Sequence, residues 1–376
     1  MKIGILTYYG DLNFGTNLQA YSTYLMVKSL HEHDEVEIIP FHGFYNFNKP
    51  FKSTSIKSVL RDCERIRKYA EFRKKYLNIK NDRTIRDVKK AISYINGRGY
   101  DRIYVGADTV LELDRLKKGE DGLSAYWLLN VKSQKIVLAA SVKNLDYDSL
   151  SAKQLEEMRV AVSQFSHIAV RDHASYALFR HFSSEDKLSY IPDPTFSFDI
   201  DYRYVDAYLK KRKLSIPEKS VFVHTCGDDN WMMHITDQLH SLGYVVYSPR
   251  PVAWCDVSLN DMGPLEQMGI YSKFSFVITH RFHDGVFCLK NAVPFFMYVK
   301  SRGNLVSSLG DSKQVSLLRD FDLYPNSFIG YVDDGISVLN MEERIDSLLN
   351  FYRNYNLEER LNRCKLVYSD YLKSTI

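Results

Sequence analysis

No stretch of the 376-residue chain approaches the ~18 uninterrupted apolar residues that a membrane-spanning helix requires. The opening MKIGILTYYG also lacks the long apolar segment and small-residue cleavage site of a secretory leader, so a cytoplasmic protein is expected. Cysteine is scarce: five residues (Cys63, Cys226, Cys255, Cys288, Cys364), odd in number and never spaced C-x-x-C. That pattern speaks against a disulfide framework and against a cysteine zinc site. Helix-turn-helix, RNP and zinc-finger patterns are missing, which argues against a nucleic-acid partner. Low-complexity tracts and short-period repeats are missing too, so a solenoid is not expected.

What the chain does have is 45% hydrophobic and 26% charged residues, enough for two domains with separate cores. Short apolar runs alternate with helical periods, the pattern of parallel sheets covered by helices, and the fold class is read as α/β. Strands are expected at Ile3–Leu6, Val36–Ile39, Arg102–Gly106, Lys135–Ala140, His167–Arg171 and Ser189–Ile191. The rhythm pauses in the Tyr-rich, charged stretch DPTFSFDIDYRYVDAYLKKRKLSIPEKS and resumes at Val221. Domains are therefore expected at 1–200 and 215–376, with a linker over about 196–219. The second series runs Val221–Thr225, Tyr244–Ser248, Phe274–Thr279, Val293–Val299 and Phe328–Val332, closed by one long helix from Met341 to Leu372. Net charge is only +4, yet residues 61–90 alone carry +7 and the rest −3. Such a segment is either a solvated face or a surface for an anionic substrate or membrane head groups.

Open α/β sheets bind ligands at the carboxyl ends of their strands, which makes strand ends the place to look. After the first strand, GDLNFGTN offers Asn13 and Gly15 in a loop that opens a helix. It is not G-x-G-x-x-G, and reads as a turn with an N-cap or as an anion or sugar loop. Asp108 in YVGADTV is a helix cap or a cleft carboxylate, and Arg171 in IAVRDHAS either forks onto an anion or pairs with a neighbouring loop. His224 and Cys226, two apart on a strand, share a face but do not readily form a nucleophile–base pair, and a structural role is favoured. His31 and His33 read as solvated.

The densest cluster is THRFHDGVF at 279–287, where the apolar FSFVI ends in Arg281, His283 and Asp284 at a predicted helix start. An arginine holds its charge at every relevant pH, a histidine titrates near neutrality, and a helix N-terminus favours negative charge. The set suits an anion that must also gain or lose a proton. A helix-capping histidine with Arg281 paired to Asp284 is the structural alternative. Metal binding by His280 and His283 lacks the supporting carboxylates of a zinc site.

NFGTNLQAY, FRKKYLNI, YVGADTV, IVLAAS, IAVRDHAS, DPTF and ITHRFHDGVFCLKNAVPFF follow one another in an order that resembles the polysaccharide pyruvyl transferase family over roughly residues 2–300. The resemblance implies two Rossmann-like domains facing a cleft, as in GT-B glycosyltransferases, with an acceptor-side first domain and a donor-side second. It implies phosphoenolpyruvate as donor without a cofactor or metal, and as acceptor a sugar of a surface polysaccharide or its undecaprenyl-diphosphate-linked precursor. A pyruvate ketal is the implied product. By position, His283 is the implied catalytic residue, and Arg171 and Arg281 the donor-binding arginines; Asn13, Gly15 and Asp108 are candidates for an acceptor or anion loop. The basic 61–90 segment would border the acceptor at the inner face of the membrane. Two departures stand out: Asp284 replaces the usual glycine after the histidine, and Gly106-Ala107-Asp108 loses the usual serine. A nucleotide-sugar glycosyltransferase of the same fold and a non-catalytic glycan-binding member are the alternatives.

Overall fold

The computed structural model describes residues 1–44, 55–79, 84–113, 116–119, 122–143, 145–225, 230–300, 312–334 and 340–376. The first half runs β1 (Lys2–Leu6), α1 (Phe14–Leu30), β2 (Glu35–Ile38), α2 (Ile56–Tyr76), α3 (Val88–Arg98), β3 (Arg102–Val105), β4 (Gln134–Ala140), α4 (Ala152–Ser163), β5 (Phe165–Val170), α5 (His173–Phe179) and β6 (Leu188–Tyr190). A helix α6 (Arg203–Arg212) follows inside the expected linker. The second half runs β7 (Ser220–His224), α7 (Asn230–Ser241), β8 (Val245–Ser248), β9 (Val257–Ser258), α8 (Pro264–Ile270), β10 (Phe276–Thr279), α9 (Phe282–Lys290), β11 (Phe295–Val299), α10 (Lys313–Asp320), β12 (Phe328–Tyr331), α11 (Met341–Arg353) and α12 (Leu357–Ser374).

The strands form two parallel six-stranded sheets, ordered β2-β1-β3-β4-β5-β6 and β12-β11-β10-β7-β8-β9. In each, the chain first moves outward on one side and then returns to build the other. The reversal falls between β1 and β3 in the first sheet and between β7 and β10 in the second. Side chains leaving the carboxyl ends at these switch points have open space above them, because the flanking connections depart in opposite directions. The strands are apolar on both faces, as burial beneath helices demands; β3, β7, β10 and β11 are buried at every position.

One apolar cluster joins the inner faces of both halves, including Ile5, Phe14 and Leu18 from the first and Phe222, Tyr271 and Phe287 from the second. Phe14 meets Phe287 with ring centroids 5.6 Å apart and Tyr271 at 6.3 Å. Lys290 adds a polar strap across the join, donating to the carbonyls of Thr195 and Phe198.

Several expectations change. The single helix Met341–Leu372 is broken at Asn354–Asn356, which separates α11 from α12. The break redirects the chain: α12 leaves the second sheet and packs on the first, where Tyr371 donates to the carbonyl of Val137 (2.9 Å) and Thr375 meets Tyr104 (3.1 Å). The stretch 215–376 therefore serves both sheets. The two-residue β9 carries too little periodicity to be read from sequence. His31, expected in water, is buried beside Asp34 (2.9 Å) and Tyr104 (3.2 Å).

The basic run lies largely on α2, which bridges to the second half. Lys68 pairs with Glu266 of α8 (2.7 Å), and Arg67 pairs with Glu64 (2.8 Å) and Glu71 on its own helix. Lys74 and Lys75 are exposed. Among the described residues no helix is long and apolar enough to cross a membrane.

Candidate active site

The two switch points face each other, and the six expected site residues lie around them. Asn13 caps α1, its side chain accepting from the Gly15 amide (3.2 Å), while Asn17 ties the loop down through the carbonyls of Asp11 and Asn13 (2.8 Å each). This fixed helix start abuts the start of α9. A Cβ on Gly15 would lie 2.3 Å from Cγ and Nδ1 of His283, so only glycine admits the imidazole here. His283 is buried; its Nε2 makes no hydrogen bond and sits 3.6 Å from Asp193 Oδ2.

Behind the histidine lies a charge cluster. Arg171, at the end of β5, donates to Asp108 (2.7 Å) and to Asp193, more distantly to Gln19 (3.4 Å), and is covered by the Phe282 ring at 4.7 Å. Burial alone would raise both carboxyls, yet Arg171 holds each well below the usual range, helped at Asp108 by Lys313 and His283 and at Asp193 by His283 and Thr195. Asp108 adopts a left-handed backbone (φ 73°) and receives the Thr109 amide (2.9 Å). Neighbouring Gly106 is required, since a Cβ there would lie 1.9 Å from the Leu138 carbonyl oxygen. The resemblance assigns Arg171 to the donor, but the fork is inaccessible and occupied by protein carboxylates. Its geometry suits positioning: it fixes the aspartate that faces His283.

Arg281 goes elsewhere. As the N-cap residue of α9 it lines a cavity of about 50 Å³ with Arg65, Arg250, His224 and the first residues of α1, Asn13 and Phe14. A cavity of ~10–15 Å³ already holds a water, so the space takes a group of several heavy atoms such as a tetrahedral oxyanion. Three arginines and a helix N-terminus give it positive potential, and among the described residues its lining contains no carboxylate. Arg65 pairs with Asp62 at 3.3 Å.

Asp284 is wholly buried and turned from this cavity. It accepts from His224 Nδ1 (2.7 Å), Thr279 Oγ1 (2.7 Å) and Tyr271 Oη (2.9 Å). The expectation that it pairs with Arg281 or faces the ligand gives way to a second histidine–carboxylate pair. His224, expected to be structural, reaches the cavity wall. Its neighbour Cys226 lies outside the described residues. Among those residues no group of three or more His, Cys, Asp or Glu is placed to hold a metal.

Sequence reading missed Asp193, Arg65, Arg250 and Lys313. Asp193 and Arg250 stand just past strand ends, where the strand-end rule would have found them. Arg65 is one of many charges on α2 and carries no local signal.

These two facing switch points define the protein as a GT-B-like pair of Rossmann domains. Solved structures share the arrangement. UDP-GlcNAc 2-epimerase from Methanocaldococcus jannaschii, in complex with UDP-GlcNAc and UDP, matches with TM-score 0.57 at 10% identity, covering 100% of this chain and 99% of that one. The S. aureus MnaA–UDP structure matches with TM-score 0.52 at 11% identity, covering 99% and 95%. A comparison with curated proteins finds no match. The chain belongs to the polysaccharide pyruvyl transferase family, whose model matches residues 13–299.

Proposed function

We propose that the protein transfers the pyruvyl group of phosphoenolpyruvate to a pair of hydroxyls on a sugar of a surface polysaccharide, or of its lipid-linked precursor, forming a pyruvate ketal. The observation that carries this reading is the oxyanion-sized cavity walled by Arg65, Arg250 and Arg281 at the same α1 N-terminus that packs on His283. The donor's phosphate would enter the cavity, and guanidiniums would hold it by charge-assisted hydrogen bonds. The enol methylene must gain a proton before C2 accepts sugar oxygens. His283 is the group for that step, steered by Asp193, which Arg171 fixes in turn.

The positive cavity would equally take one phosphate of a nucleotide diphosphate such as the UDP of the two solved structures, which keeps a sugar-nucleotide reaction as second reading. The test is phosphate release from phosphoenolpyruvate with a panel of galactose-, mannosamine- and glucose-containing glycans, for the parent and His283→Ala. Acceptor-dependent release lost in the variant is expected. Silence across the panel, with a melting-temperature rise for UDP and none for phosphoenolpyruvate, would favour the second reading. Glycan binding with neither donor recognised would indicate a non-catalytic binding protein.

A further inference from the structure

The His224–Asp284 pair has the construction of an acid–base group, not of a mere core contact. Asp284 receives three donors and is wholly buried, and against the upward push of burial His224, with Arg281 and Thr279, holds its carboxyl low, to about 2. A carboxylate has no proton to give, so the proton of the 2.7 Å contact sits on His224 Nδ1. Burial lowers His224 to about 4; Asp284 opposes this, and Arg281 and Arg250 add to it. The imidazole is therefore neutral at pH 7, with its lone pair on Nε2. The ring lines the arginine cavity while Asp284 does not, so the histidine stands between carboxylate and cavity. Its own carbonyl, 3.3 Å from His280 Nδ1, and the adjoining Thr279 hydroxyl fix its strand against β10.

We propose that His224 is a second catalytic residue, oriented by Asp284, which carries a sugar-hydroxyl proton to the departing phosphate. This rests on the pyruvyl-transfer reading above. The proton balance of that reaction calls for such a group. A diol gives up two protons as two C2–O bonds form: one ends on C3, turning methylene into methyl, and the other leaves on phosphate as its bond to C2 breaks. His283 supplies the C3 proton and recovers one from a hydroxyl. His224 takes the other and passes it to the phosphate oxygen held beside it. Neither histidine could serve both sites at once, since His283 is wedged against Gly15 and Asp193 whereas His224 faces the arginines.

The test combines ring-¹⁵N spectroscopy on histidine-labelled full-length protein with turnover. In the parent at pH 7, the signal removed by His224→Gln should report a neutral ring protonated at Nδ1, and its Nε2 resonance should move when inorganic phosphate is added. Asp284→Asn should abolish that tautomer and lower kcat for acceptor-dependent phosphate release about 10²-fold, with KM for phosphoenolpyruvate within about twofold. A cationic ring, an Nε2-protonated ring, or no response to phosphate overturns the proposal whether or not the protein turns over. So does a folded Asp284→Asn variant of undiminished kcat. A parent that shows the tautomer and phosphate response but releases no phosphate from phosphoenolpyruvate defeats the pyruvyl-transfer reading alone, while supporting a base at an oxyanion site.

Discussion

Replacing Gly15 by alanine probes the packing of one helix start against His283. The new methyl would stand 2.3 Å from the imidazole where ordinary contact begins at 3.4 Å, so ring and helix must part by about 1 Å. Two energies compete. Alanine is favoured over glycine in a helix by roughly 0.5–1 kcal/mol, whereas forcing a methyl into a packed site costs about 1–3 kcal/mol. Net destabilisation of about 0–2.5 kcal/mol is expected in urea unfolding. The effect on turnover should be larger, because a misplacement of ~1 Å can cost ~10²-fold in rate. Acceptor-dependent phosphate release measures this, and the double variant isolates the cause. With His283→Gly both the ring and the His283 Cβ, itself 2.6 Å from the new methyl, are gone, so Gly15→Ala should become neutral or stabilising, and the two substitutions should be strongly non-additive. Equal destabilisation in both backgrounds, or a Gly15→Ala variant turning over within about twofold of the parent, would refute the contact as the reason for glycine.

Arg171→Ala strands Asp108 and Asp193 as buried charges and should cost about 3–5 kcal/mol, read from the urea midpoint; a parent-like midpoint would show that the cluster is not load-sharing. Both carboxyls are held below their unfolded values near ~3.9, so the stability they contribute is present at neutral pH and lost as pH falls below ~4; that acid dependence should shrink in the variant. Arg281→Ala and Arg250→Ala should each raise KM for phosphoenolpyruvate about tenfold or more, since a hydrogen bond to a charged group is worth ~1.5–3 kcal/mol, and unchanged KM values would place the donor elsewhere. Burial lowers Lys290 to about 7 from an unfolded value near ~10.4. The folded chain then binds fewer protons, and stability should rise from pH 7 towards pH 10; Lys290→Met should flatten that slope in thermal unfolding.

Much of the scaffold was written in local pattern. Parallel strands buried on both faces are continuous apolar runs, so β1, β3, β4, β7, β10 and β11 could be read to within two residues of their ends. Asn13 before FGTN marks a helix start by cap chemistry, and the strand-end rule singled out Asp108, Arg171, Arg281 and His283. The small element β9 and the split between α11 and α12 were not legible. Two residues show no period, and whether a polar Asn-Tyr-Asn stretch turns or continues depends on which sheet the following helix meets.

The sequence by itself determined the α/β class, the strand ends and the chemical types delivered there, because these follow from periodicity, capping and side-chain chemistry within a few residues. Only the tertiary structure decided how those groups are shared out. It neutralised Arg171 with Asp108 and Asp193, sent Arg281 to a cavity with Arg65 and Arg250, and paired Asp284 with His224 from 60 residues away. Contacts between residues distant in the chain depend on the register and approach of two sheets, and no local pattern carries that information.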